Sequence, residues 1–128
     1  MKRLLVLTAA FEAVTGLVLL IAPAVVARLL LNADLPPVGA AVGRVAACAL
    51  LALAIACWPG RNATSTLISA ARAMLTYNTL VACYLVFLGI GGQFAGPLLW
   101  PAVAIHGLLI LLFLCTWPRT GQTPDAKA

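Results

Sequence analysis

The sequence predicts an all-α fold, a bundle of four transmembrane helices built as one domain over residues 1–128. Three observations carry that expectation. Hydrophobic residues make up 64% of the chain and charged residues 9%, far from the roughly half-apolar, quarter-charged balance of soluble domains. Mean hydropathy is +1.11. The apolar residues also fall into four runs, each near the ~20 residues that cross a bilayer core of about 30 Å.

The first run extends from Leu4 to about Ala22 and stops at Pro23. The second covers Val38 to Trp58, entered from Pro36 and Pro37 and left through Pro59 and Gly60. The third covers Leu67 to about Ile90, and Gly91, Gly92 and Pro97 separate it from the fourth, Leu98 to Trp117. Proline and glycine are the strongest local breakers of helical pattern, so these gaps read as turns. Ala24 to Asn32 fits two readings: a short interfacial helix, or a continuation of the first span beyond a proline kink. Residues 118–128 form a short polar tail.

Charge sets the orientation. Lys2, Arg3, Arg61, Arg119 and Lys127 fall on one side of a four-span arrangement, whereas the other side has Arg28. The positive-inside rule then places both termini in the cytoplasm. Trp58 and Trp117 come to lie at the inner interface and Trp100 at the outer one, as an aromatic belt requires. The opening segment can also be read as a signal peptide, with Ala22-Pro23-Ala24 imitating a cleavage site. Its length, beyond the usual ~7 to 15 apolar residues, and its internal carboxylate favour a retained span.

Composition excludes several kinds of function. The net charge of +5 comes from basic residues scattered singly, without the water-facing basic stripe that nucleic-acid binding uses. Cys48, Cys57, Cys83 and Cys115 all lie within spans and form no CxxC pair, so they read as small packing residues rather than zinc ligands or a redox pair. No Ser-His-Asp set and no phosphate-binding glycine loop is present, and Asp34 and Asp125 lie outside the spans. The expectation is a protein that is not an enzyme. His106 is the one histidine, and no methionine shares its helix, so neither axial pair of a haem is available and no cofactor or metal is expected.

The remaining information lies in polar residues inside the spans: Glu12, Arg44, Arg72, Tyr77, Asn78 and His106. Ionisable groups in a bilayer are costly and usually face a partner or a path. At 100° per residue, Ser65, Ser69, Arg72, Thr76, Thr79 and Cys83 share one face of the third span, and Thr8, Glu12 and Thr15 share one face of the first. At ~1.5 Å per residue Glu12 lies roughly 12 Å and Arg72 roughly 8 Å from the cytoplasmic ends, so an ion pair between them is the leading expectation. Arg44 competes for the same carboxylate or else snorkels outward. His106 falls at a depth similar to Asn78, as a hydrogen-bonded interior residue or as a proton relay with Glu12. Tyr77, Asn78 and Tyr84 lie off the serine-threonine face, which makes the third span central or places its second face against another protomer. Gly39, Gly43 and Ala47 make a small-residue ridge suited to close helix approach.

Two resemblances follow from these residues. The order Phe11-Glu12, Thr15-Gly16-Leu17, Ala22-Pro23, Gly43-Arg44, Tyr77-Asn78 and Leu99-Trp100-Pro101 with His106 resembles small four-helix bacterial membrane proteins of the DoxX-like assemblage. The resemblance spans most of the chain through short motifs. It implies a four-helix fold in the bacterial inner membrane, in an assemblage with members associated with respiratory or thiol-oxidising complexes, and it transfers no functional residue. Separately, Ala10-Phe11-Glu12-Ala13-Val14-Thr15-Gly16 is similar to the first helix of the small multidrug-resistance transporters, where a glutamate exchanges protons for cationic drugs. Arg44 and Arg72 depart from that pattern, and the Gly-Val-Gly signature of the later helices is missing.

Three functional classes remain. The first is a structural or accessory membrane protein in which the Glu/Arg/His cluster is a satisfied polar core. The second is a small proton-coupled carrier, and the third a redox or quinone-associated subunit using His106 and the tyrosines. The expected partners are the lipid bilayer and a second copy or a larger membrane complex.

Overall fold

A computed structural model describes residues 1–59 and 64–117, with the side chains of Thr64 and Ser65 left aside. Arg61, Arg119, Lys127, the tail and the Ser65 side chain therefore lie outside the described residues. The described chain is helical throughout: α1 (Lys2–Ile21), α2 (Pro23–Leu31), α3 (Pro37–Ala56), α4 (Thr64–Gly91) and α5 (Leu99–Cys115). The helices α1, α3 and α4 are long and apolar enough to cross a membrane. The fourth expected span is the 17-residue α5, which at ~1.5 Å per residue is about 25 Å long and falls short of a full bilayer core.

The boundaries have local causes. Pro23 has no N–H to continue the ladder of α1, and the chain breaks at Ala22 (φ −132°, ψ 58°) before starting α2 with proline in its first turn. The stretch after the first span is thus a separate helix. It ends at Asn32 in the left-handed conformation (φ 52°), which asparagine tolerates better than most residues. Pro37 opens α3 in the same way as Pro23 opens α2.

Helices α1 and α3 pack along each other, α4 and α5 form a second pair, and α1 joins the pairs by touching α4 and α5. Although α3 and α4 are consecutive long apolar helices, they do not pack along each other. Close approach of α1 and α3 depends on small residues: a methyl group at Gly16 would stand 3.0 Å from Leu51 Cγ and 3.3 Å from the Ala47 carbonyl. Gly43 faces Pro23 and Leu19, whereas Gly39 lies against Leu35 in the preceding turn.

The main apolar core is Leu5, Ala9, Cys57, Ala71, Met74 and Phe113. These residues belong to the end of the bundle where α1 and α4 begin and α3 and α5 finish. At the other end, α2 is tied to the segment before α5 by two backbone hydrogen bonds, Gly96 N–H to the Leu30 carbonyl (3.1 Å) and Leu98 N–H to the Leu29 carbonyl (2.9 Å). Gly96 is required there, because a Cβ would lie 2.3 Å from the Leu29 oxygen. The polar residues sit between these two closures.

Candidate functional site

Glu12 lies on the inward face of α1 and is completely buried. That face carries Leu5, Thr8, Ala9, Glu12 and Gly16, the i, i+3, i+4, i+7 pattern of one helix side. Neither carboxyl oxygen has a hydrogen-bond partner among the described residues. The Tyr77 side chain of α4 stands beside the carboxyl group without closing a hydrogen bond to it.

The expected Glu12–Arg72 ion pair is not formed. Arg72 is exposed, on the side of α4 away from the bundle, while Glu12 points inward. The two stripes that looked matched in sequence do not face each other, because α4 turns Ala71, Met74, Asn78 and Leu85 to the interior instead. Arg44 does not reach Glu12 either. Its Nε donates to the Leu20 carbonyl at 3.3 Å, near the end of α1, where a helix leaves its last carbonyls without intrahelical donors. A cation also complements the negative end of the helix dipole. Among the described residues the one salt bridge is Arg28–Asp34, 2.8 Å, between two exposed side chains.

The two threonines flanking Glu12 leave it alone as well. Thr8 donates to the carbonyls of Leu4 (2.8 Å) and Leu5 (3.2 Å), and Thr15 donates to that of Phe11 (2.9 Å). Such back-bonding satisfies a hydroxyl inside an apolar helix without a tertiary partner.

Asn78 and His106 are brought together. Asn78 Nδ2 donates to the Met74 carbonyl at 2.7 Å, and Asn78 Oδ1 is 2.7 Å from His106 Nδ1. A backbone carbonyl can only accept, so the amide orientation is determined, and Oδ1 must accept from a protonated Nδ1. Nε2 is then the lone-pair nitrogen of the neutral ring. The imidazole is held edge-on between Phe11 (centroids 6.2 Å, 79°) and Tyr77 (6.1 Å, 73°). Carboxyl, phenol, imidazole and amide thus occupy one interior level across α1, α4 and α5.

Beside this level, where α3 and α4 diverge, lies a cavity of about 300 Å³ lined by Leu19, Ala46, Ala49, Leu50, Leu53 and Tyr77. Tyr77 belongs both to the cavity wall and to the surroundings of Glu12. The sequence carries no mark of the cavity. Its apolar lining looks like ordinary span, and the space exists because α3 packs on α1 and α2 and not along α4. The Phe11 contact with the imidazole also has no sequence signal, whereas the shared depth of Asn78 and His106 was a usable one. No group of three or more His, Cys, Asp or Glu side chains suited to a metal occurs among the described residues.

The chain matches no protein-family model, no curated protein and no solved structure.

Proposed function

We propose that this chain is a small multi-pass membrane protein that takes up and releases a proton at Glu12, as the proton-coupled element of a carrier. The observation that supports this reading is a fully buried carboxyl group with two unpartnered oxygens. An ion left without a counter-charge in hydrocarbon costs at least ~2.5 to 3.5 kcal/mol. Arginine pairing would have offset that cost and made Glu12 a structural residue. With both arginines engaged or directed elsewhere, a proton or a bound cation is what neutralises the group.

The neighbours suit such a role. The Tyr77 hydroxyl is positioned to donate to the carboxylate once it is ionised, and the same side chain lines the cavity. His106, with Nδ1–H held by Asn78, offers Nε2 as a proton acceptor in the same cluster. A solute entering between α3 and α4 would meet an apolar wall with one phenol in it. In this account α5 completes a fourth crossing, with interfacial Trp100 and Trp117 near its ends and both termini cytoplasmic.

The test is dissipation of an imposed pH gradient in sealed vesicles containing the purified protein and an internal pH-sensitive dye. Wild-type protein is expected to collapse the gradient faster than Glu12→Gln, with Tyr77→Phe slowed and Arg44→Gln unaffected. Equal rates for wild type and Glu12→Gln would remove the carrier reading.

A structural or accessory role is the second reading, favoured by the Asn78–His106 bond. It joins α4 to α5 through side chains whose other contacts are satisfied or aromatic. Interhelical polar contacts of this kind contribute about 0.6 kcal/mol on average in membranes, enough to set register and too little to hold a fold alone.

A further inference from the structure

The exposed side of α4 carries Ser69, Arg72, Thr76, Thr79 and Cys83. Their spacing is three, four, three, four, the repeat of a left-handed helix–helix seam. All five are exposed on a helix long and apolar enough to span a membrane, so in a lone molecule they would face lipid chains. Seams between helices in membranes are rich in small and hydroxyl-bearing residues, which let backbones approach and bond across the contact. Intramembrane arginines ordinarily turn inward and find a partner. Here the polarity is reversed: the stripe lies opposite the buried Ala71, Met74, Asn78 and Leu85.

Charge decides what covers it. Arg28 is paired with Asp34 and Arg44 is bonded to the Leu20 carbonyl, whereas Arg72 has no hydrogen bond or salt bridge to any described residue. The acids of this chain are Glu12, enclosed in the bundle, Asp34, exposed and paired with Arg28, and Asp125, in the tail. A second copy in the same orientation would bring Arg72 against Arg72 at one depth, with no embedded carboxylate to separate them. Snorkelling to lipid phosphate would account for Arg72 alone. The Thr79 hydroxyl is satisfied within α4 by the Leu75 carbonyl (2.8 Å), but snorkelling gives no reason for residues this small to continue along the same line for two further turns beyond Arg72, where they let another backbone approach.

We infer that this face of α4 docks a membrane-spanning helix of a different protein, one that carries a carboxylate at the depth of Arg72. The inference does not depend on proton uptake at Glu12.

The experiment uses the full-length chain in neutral-lipid vesicles with two labelled synthetic spanning peptides. Each is leucine-rich with an alanine and serine seam, and they differ by one Glu or Gln at the level of Arg72. Energy transfer from the protein reports binding. The Glu peptide is expected to bind between about threefold and tenfold more tightly than the Gln peptide, the range of interhelical polar contacts in lipid. Arg72→Gln should abolish that ratio, and Arg72→Glu should transfer the preference to a Lys-bearing peptide. Thr76→Leu should weaken both peptides while the fold, judged by thermal stability, is retained. Equal or absent binding of the Glu and Gln peptides overturns the inference. So does oxidative cross-linking of Cys83 to Cys83 in membranes, read in a chain carrying Cys48→Ala and Cys115→Ala, because it would place a second copy on the seam. Failure here would leave the vesicle pH-gradient result at Glu12 standing, and the reverse also holds.

Discussion

At Glu12 the cost of burial and the lack of a counter-charge meet in a single side chain. If the carboxyl group makes no stabilising bond, replacing it with an isosteric amide should cost little. Glu12→Gln is expected to change stability by less than about 1 kcal/mol, the net worth of an ordinary hydrogen bond, as measured by thermal unfolding in detergent. A loss of several kcal/mol would show that a partner holds the carboxylate. Asn78 and His106 behave differently, because truncating either leaves a buried polar group unpaired. Asn78→Ala and His106→Ala should each destabilise the protein, and a double-mutant cycle should return a coupling between about 0.6 and 1.7 kcal/mol. These residues were legible in the sequence as polar exceptions in apolar runs, since their burial is what makes them exceptional. Their pairing was not legible. Depth along a helix limits which groups can meet, but the rotation of each helix decides which do, and rotation is set by packing that one sequence does not display. Arg72 shows the difference: it has a suitable depth for Glu12 and lies on the opposite side of α4.

At the scale of elements, helix ends follow from proline and glycine, and most boundaries were therefore readable. Pro23 separates α2 from α1, and Pro37 opens α3. The docking of α2 onto the segment before α5 was not readable, because it uses backbone atoms that carry no sequence signal. Gly96 allows a direct test. With a methyl group driven to 2.3 Å from a backbone oxygen, Gly96→Ala should destabilise by about 1 to 3 kcal/mol, the usual range for overpacking. Gly107, in the middle of α5, has nothing within 4 Å of the site of an added Cβ. Gly107→Ala should therefore be neutral or stabilising by about 0.5 to 1 kcal/mol, through helix propensity. Paired thermal melts of the two variants check both claims, and equal effects would mean that the close approach at Gly96 is not maintained.

At the scale of the whole molecule, composition was enough to expect helices of membrane-crossing length, since soluble domains typically carry about a quarter charged residues and this chain carries 9%. The arrangement of those helices required the structure. A central α1, with α3 leaning on it and away from α4, creates a lateral cavity next to Tyr77 and leaves the polar side of α4 outward. The four-crossing arrangement predicts that reporter domains fused after Trp117 and before Met1 are both cytoplasmic, whereas one inserted at Gly92 is on the opposite side. A reporter after Trp117 on the same side as the one at Gly92 would show that the 17-residue α5 does not cross. Within this arrangement the proposed carrier role rests most on reversible protonation of one buried carboxyl group. The direct measurement is infrared difference spectroscopy of the lipid-embedded protein across a pH series, comparing wild type with Glu12→Gln. Wild-type protein is expected to show a carboxyl stretching band that disappears and returns with pH, shifts on exchange into heavy water and is missing from Glu12→Gln. A wild-type spectrum without that band, or with one that neither pH nor heavy water alters, would contradict that role.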